Sequence, residues 1–398
     1  MRIGFLFNHD QIHQVAHSLP IALALARQRT GAEIIIGSAS PRITRELQIL
    51  GGEAMGRELK MVELKLVSRS GRAANALLGS LIPSNKLLIY RENLEFFKSL
   101  DVLVVPEKTS LVLKQHFHLE HLKIIHTRHG AGDRAIGFNQ TSRGFDHILA
   151  AGPKVRERLV TDAGVPPENI SVIGYPKFDL FEKPKKKSRP SHGRPIVLYN
   201  PHVAPHLSSW YKWGPAILQW FAANPSFELI FAPHIMLFER RLVVTIQPPR
   251  IAWPGRVRQS SFDPDHILID TRSRALTTME YLNRADIYLG DASSQIYEFL
   301  VQPRPSLFLN AYGFDWEGNP NFAHWQAGPV LNHVEELGGA LSHAFEEHEL
   351  RYRAMQEEMI RQTFDLQSKS SSNRAAEVIM KVAGAGNRKR RASIKSAP

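Results

Sequence analysis

Short apolar runs of strand length alternate with longer stretches in which apolar residues recur every three to four positions, from the first residue to about 310. That alternation predicts α/β layers built on mostly parallel sheets. In the first half, the strand-like runs are residues 2–7, 33–37, 102–105, 123–126, 147–150 and 170–172. Between them, residues 13–29 keep Val15, Leu19, Ala22, Leu23 and Ala26 on one helical face, and 85–99 and 153–163 repeat the pattern. The alternation stops at Lys183-Pro-Lys-Lys-Lys-Ser-Arg-Pro-Ser-His-Gly-Arg194, which has no apolar residue to bury and is predicted to be a linker. It resumes with strands at 195–199, 228–232, 266–270, 286–290 and 306–309, and helices near 213–223, 237–247, 277–284 and 294–301. Helices at 335–347, 349–363 and 373–382 follow, and residues 387–398 are expected to form a disordered basic tail. The expected organisation is therefore a Rossmann-like domain over 1–182, a basic linker over 183–194, and a second Rossmann-like domain with closing helices over 195–386.

Two such sheets facing a central cleft would bind ligands outside their strand C-termini, so the residues after each strand carry the candidate chemistry. In Ile124-Ile-His-Thr-Arg-His-Gly-Ala-Gly-Asp-Arg134 a strand runs into Arg128-His129-Gly130. His129 is placed to act as general base toward a hydroxyl, with Gly130 letting backbone approach a ligand; the plain alternative is a capping loop histidine. Gly130-x-Gly132-x-x-Ala135 imitates a dinucleotide fingerprint but follows the wrong strand for one. In the second half, a strand ends at Gly290-Asp291, and Ser293-Ser294 open a helix whose first turn suits a diphosphate. Glu298, four residues on, shares the face of Ser294 and suits ribose hydroxyls, whereas an ordinary N-cap with a solvated Glu298 is the rival account. Asn200 and His202 close one strand and His234 the next, as candidate contacts to phosphate or acceptor, and Arg272 and Arg274 are candidate phosphate clamps.

Other signals are weaker. His116, His118 and His121 have metal-like spacing, and Asp263-Pro-Asp265 imitates an Asp-x-Asp metal motif, but the surrounding pattern favours plain loop and turn, so neither metal nor cofactor is expected. No nucleophile elbow or P-loop occurs. The absence of cysteine excludes disulfides, thiolate nucleophiles and cysteine-ligated metals. The first residues carry too short an apolar run for a secretory leader, and no run reaches the ~18 residues of a membrane span, so a cytoplasmic protein is expected.

The 50 Lys plus Arg against 38 Asp plus Glu give a net charge of +12, which calls for an anionic partner. Residues 183–194 carry six positive charges and 387–398 carry five, with no negative one, which leaves +1 for the rest. Two short basic segments suit an anionic membrane surface and predict peripheral attachment at the inner face of the cell membrane. A specific nucleic-acid partner is not expected, because no nucleic-acid-binding motif accompanies the charge; a non-catalytic basic binding protein is the distant alternative.

With those residues in view, the chain resembles the CDP-glycerol glycerophosphotransferase family, the teichoic-acid primases and polymerases of GT-B architecture. The resemblance rests on His129-Gly130, Gly174-Tyr-Pro-Lys-Phe-Asp179, Val197-Leu-Tyr-Asn-Pro201, Phe231-Ala-Pro-His234, Tyr281-Leu-Asn-Arg-Ala-Asp-Ile-Tyr-Leu-Gly-Asp-Ala-Ser-Ser294 with Glu298 and Arg304-Pro305, and Ser371-x-x-Arg374-Ala-Ala. It implies an acceptor-side first domain and a donor-binding second domain. His129 would be the base, with Arg128 and Gly130 on the acceptor side, and His234 would be catalytic through the donor's phosphates. Ser293 and Ser294 would hold the diphosphate, with Glu298 near the ribose; Asp291, Arg272, Asn200 and His202 are the further donor-binding candidates by their position after strands. The implied reaction moves a glycerophosphate or similar polyol phosphate from a CDP-activated donor to a hydroxyl of a glycan or polyol-phosphate acceptor, lipid-linked at the membrane. A nucleotide-sugar glycosyltransferase or UDP-sugar 2-epimerase-like enzyme of the same fold is the alternative.

Overall fold

A computed structural model describes residues 1–8, 11–66, 84–128, 130–181, 193–239, 241–246, 248–263 and 265–395. The chain divides into two compact units. Unit 1 comprises Met1–Gly130, Phe138–Leu180 and Thr363–Pro398, and unit 2 comprises Ala131–Gly137 and Phe181–Gln362.

Unit 1 holds seven strands: β1 (Arg2–Phe7), β2 (Glu33–Ser38), β3 (Lys60–Glu63), β4 (Val102–Val105), β5 (Lys123–His126), β6 (His147–Ala150) and β7 (Ile170–Val172). All pair in parallel, in the order β3-β2-β1-β4-β5-β6-β7, so the direction of winding reverses between β1 and β4. The strands read as continuous apolar runs because helices cover both faces, and Ile3, Phe5, Phe7, Val102, Leu103, Val104 and Val105 are all buried. β3 has half-exposed Met61 and Val62 flanked by exposed Lys60 and Glu63, so its apolar signal is too thin to register in the sequence pattern.

Unit 2 holds a second parallel sheet of β8 (Ile196–Asn200), β9 (Glu228–Phe231), β12 (Ile267–Ile269), β13 (Ile287–Gly290), β14 (Ser306–Leu309) and β15 (Val330–Leu331), ordered β12-β9-β8-β13-β14-β15. Here the reversal lies between β8 and β13. β10 (Val243–Ile246) and β11 (Pro249–Ala252) form a separate antiparallel hairpin. That corrects the helix expected over 237–247: the run Leu242-Val-Val-Thr-Ile is β-branched, and Pro248-Pro249 stop any helix, so a ribbon wins.

The chain's last helix corrects two further expectations. It spans Ser371–Lys395, through residues expected as a tail, because the Arg/Lys/Ala stretch after Gly386 contains neither Pro nor Gly until its end. It also belongs to unit 1 rather than closing the second domain. Asp179 caps it, accepting from Ser372 N at 2.7 Å and Ser372 Oγ at 2.6 Å. Gly174, at φ +83°, lies where a Cβ would fall 2.3 Å from Ser371 Oγ and 2.4 Å from an Arg374 guanidinium nitrogen. Arg374 in turn binds Asp365 at 2.6 Å, and Tyr175, Phe178 and Phe364 pack edge to face or tilted beside it. Gly174-Tyr-Pro-Lys-Phe-Asp179 and the Ser371/Arg374 segment are therefore two halves of one clamp. The linker expected at 183–194 falls outside the described residues except for Gly193 and Arg194. No helix among the described residues is long and apolar enough to cross a membrane.

Candidate functional site

The reversal between β8 and β13 is where a doubly wound sheet leaves a crevice at its strand ends. Two polar side chains there are spent on holding the scaffold. Asn200 donates to Ala232 O at 2.6 Å and accepts from Tyr288 Oη at 3.2 Å, tying β8 to its neighbours on both sides. Asp291 is fully buried and accepts from His202 N (2.8 Å), Ser209 N (2.6 Å), Ser209 Oγ (2.8 Å) and Ala292 N (2.7 Å). Burial pushes its carboxyl up to about 6 against those four donors, which leaves it ionised at neutral pH. Arg304, from the same motif, is likewise structural: it donates to the carbonyls of Leu282, Ala285 and Phe299 at 2.7–2.9 Å and stacks on the Phe299 ring.

Two imidazoles stand on this scaffold. His202 Nδ1 accepts from Ala204 N at 3.0 Å, and His234 Nδ1 accepts from Met236 N at 3.3 Å. A backbone N–H only donates, so each Nδ1 is bare and the proton of each neutral ring sits on Nε2. The ring centroids are 5.8 Å apart. Burial, and then the charge of Arg134, lower His202 well below the usual histidine value and His234 to about 4. His206 is lowered by the same two causes in the same order, followed by the charge of Arg250. Neutral Nε2–H groups beside a guanidinium make a hydrogen-bond-donating, positively charged constellation. Arg134 is exposed and has no ion pair among the described residues.

Arg134 reaches this place on a strap, Ala131–Gly137, which packs within unit 2. Asp133 anchors it, buried against the Tyr297 hydroxyl and 3.2 Å from His324 Nδ1. His324 Nε2 lies 2.9 Å from the Asp291 carbonyl, which also accepts from Trp325 Nε1 at 3.0 Å. Ala135 N donates to Asn321 Oδ1 at 2.7 Å. A Cβ on Gly132 would fall 2.9 Å from Ser294 Cβ, so glycine is required for the strap to lie over the serine turn. Ser293 is buried and Ser294 exposed, directly ahead of the helix Gln295–Leu300, and Glu298 is buried rather than on a solvated face. A small recess beside the ends of β8 and β9 is lined by Leu198, Asn200, Ala232, Leu276, Tyr281 and Gln295.

Arg272 follows β12, the strand paired with β9. It sits on an exposed turn after β12, at the sheet edge, where Asp270 Oδ1 accepts from Arg272 N at 3.0 Å and Ser273 N at 2.9 Å. In unit 1, Arg128 is buried at φ +58°, with its guanidinium 4.5 Å from the Phe138 ring centroid; Arg158 lies 4.1 Å from the same centroid. Lys108, bound to Asn139 Oδ1 at 2.7 Å, is pushed down to about 8 by burial and then by the charge of Arg128. Gly130 follows, and His129 between them lies outside the described residues. The metal-like histidines take other roles: His118 has φ +53°, which breaks any helical register, and His121 Nε2 lies 3.1 Å from Lys98 O. Asp263 Oδ1 accepts from Asp265 N at 3.0 Å, as in a simple Asx turn.

The residues missing from the sequence-level site are Arg134, Asp133, His206 and His324. Arg134 and Asp133 stand in the quoted Gly-Ala-Gly-Asp-Arg run, but their partners lie more than 60 residues away, and nothing local signals them. No protein-family model and no curated protein matches the chain. Among solved structures it is similar to the wall teichoic acid polymerase TagF, with TM-score 0.60 and 12% identity over 96% of this chain and 89% of that one. It is also similar to UDP-GlcNAc 2-epimerase from Neisseria meningitidis bound to UDP-GlcNAc (TM-score 0.56, 12% identity, 96% and 99%) and to S. aureus MnaA with UDP (TM-score 0.58, 13% identity, 95% and 94%). The fold shared with these proteins is GT-B.

Proposed function

We propose that this chain is a transferase of cell-envelope polymer synthesis that moves a glycerophosphate or similar polyol phosphate from a CDP-activated donor to a hydroxyl of a glycan or polyol-phosphate acceptor. The observation that carries this is the group of Arg134 with the neutral imidazoles of His202 and His234 at the β8 and β9 ends. A diphosphate needs positive charge and hydrogen-bond donors, and a leaving nucleotide needs them more as its charge grows. The acceptor oxygen attacks the phosphorus next to the polyol, the bond to the bridging oxygen breaks, and CMP leaves with the electron pair. His129 takes the acceptor proton. His234, held neutral and protonated on Nε2, serves as a donor to phosphate rather than as a base. Ser293 and Ser294 hold the diphosphate from the other side, with Glu298 near the ribose.

The likeness to TagF supports this reading, since one of the similar TagF structures was soaked with CDPG. The likeness to UDP-GlcNAc 2-epimerases supports a second reading, in which the same group holds a UDP-sugar. Thermal unfolding with CDP-glycerol, CDP-ribitol, UDP-GlcNAc and CMP separates the two, because a ligand that binds the folded state raises its melting temperature. CDP-glycerol or CDP-ribitol is expected to give the largest rise, and incubation with acceptor to release CMP in the presence of EDTA. A rise with UDP-GlcNAc alone, together with its epimerisation, would establish the second reading instead.

A further inference from the structure

The hairpin β10–β11 stands outside both parallel sheets and carries an exposed apolar face. Val244 lies directly opposite Ile251 in its register, and alternation places Leu242 and Trp253, two residues further along each strand, on the same face. These four side chains are 54% (Leu242), 58% (Val244), 71% (Ile251) and 66% (Trp253) exposed, whereas Val243 and Ala252 on the opposite face are half-buried. Single exposed apolar residues are ordinary; four aligned on one ribbon are not. The ribbon is also rooted, since Trp210 Nε1 donates to the buried Pro254 O at 2.7 Å just past Trp253.

The charge around it has one sign. Residues 240–262 contain five arginines and no acidic residue. Arg241, Arg250, Arg256 and Arg258 are exposed, and none has a carboxylate partner among the described residues. An aliphatic strip with a tryptophan at its edge, framed by arginines, matches the boundary between acyl chains and anionic headgroups: the apolar side chains enter the hydrocarbon edge, the indole lies at headgroup level, and the guanidinium groups meet phosphate.

We propose that the β10–β11 hairpin is a membrane-docking element that inserts Leu242, Val244, Ile251 and Trp253 into the interface of an anionic bilayer. This goes beyond the proposed reaction and does not depend on it. The assignment differs from attachment through the basic segments 183–194 and 387–398, which any hairpin variant retains.

The test uses the full chain in vesicle flotation with phosphatidylcholine alone and with phosphatidylglycerol added. Binding is expected only with phosphatidylglycerol. The double variant Ile251→Ser with Trp253→Ser is expected to bind at least roughly tenfold more weakly, with its melting temperature unchanged. Arg241→Gln with Arg256→Gln, which leaves the apolar face intact, is expected to bind more weakly and with a shallower salt dependence. Brominated lipid is expected to quench tryptophan emission of the wild-type chain, and less so in Trp253→Phe. Wild-type failure to bind, equal binding by the Ile251/Trp253 variant, or self-association in solution that the same variant abolishes would each overturn the proposal; the last would make the strip a protein interface.

Discussion

His202 and His234 hold the same tautomer for the same local reason. Each follows a strand, and each has its Nδ1 met by the backbone N–H two residues on, so the proton of the neutral ring is fixed on Nε2. Burial and Arg134 then keep both rings neutral at physiological pH. A ring with these properties donates a hydrogen bond and is poorly suited to take a proton. His234→Ala is expected to lower turnover with a CDP-activated donor about 10²-fold, the scale for losing one donor to a developing oxyanion. His234→Gln, whose amide nitrogen reaches the position of Nε2, is expected to keep more activity than His234→Ala. Equal losses in steady-state assays of the two variants would remove the donor role.

At the scale of elements, the strap Ala131–Gly137 is the decisive piece, because it carries Arg134 into unit 2. Its hold depends on a buried carboxylate, Asp133, shared by Tyr297 and His324. Asp133→Ala leaves both partners buried without their acceptor and is expected to cost about 3 kcal/mol in urea unfolding. It is also expected to weaken donor binding, measured by calorimetry, although Asp133 itself contacts no phosphate in the proposed arrangement. A variant that lost stability but bound the donor as tightly as wild type would separate the strap from the site. The hairpin teaches the converse lesson about elements. Its β-branched run sits inside a window whose spacing also fits a helix, and pairing with residues 249–252 realises the strand that the β-branched run and Pro248-Pro249 favour.

For the whole molecule, the lowered histidines set a pH dependence of stability. His202, His234, His206, His147 and His348 all have depressed values in the fold, burial being the main cause for each. The unfolded chain therefore takes up protons below about 6.5 that the fold refuses, and stability falls as pH drops through that window. Asp291 acts in the opposite sense, since its raised value lets the fold take up a proton from about 6 downward. His202 and His234 together outweigh it, so stability falls as pH drops from about 6 toward 5. Urea denaturation at pH 7 and pH 5 checks this, and equal or greater stability at pH 5 would contradict it.

Much of this was legible in the chain itself. The strands β1, β2, β4 to β9 and β12 to β14 follow from apolar runs, because a parallel sheet covered on both faces must be apolar along its whole length. The strand ends likewise pointed to His202, His234 and Ser293–Ser294, since those positions follow directly from where each run stops. What the order of residues alone did not determine is which polar groups serve the scaffold. Asn200 and Asp291 look like site residues by position, and only the folded structure shows their hydrogen bonds already committed to the backbone of distant loops. Arg134 is the reverse case, an ordinary loop arginine whose meaning arises when Asp133 meets Tyr297 and His324. The clamp between Gly174 and Ser371 and the return of the last helix to unit 1 belong to the same class. Local patterning is set by which faces must be buried and is therefore written in the sequence, whereas hydrogen-bond partnership across a hundred residues or more is settled only by tertiary contact.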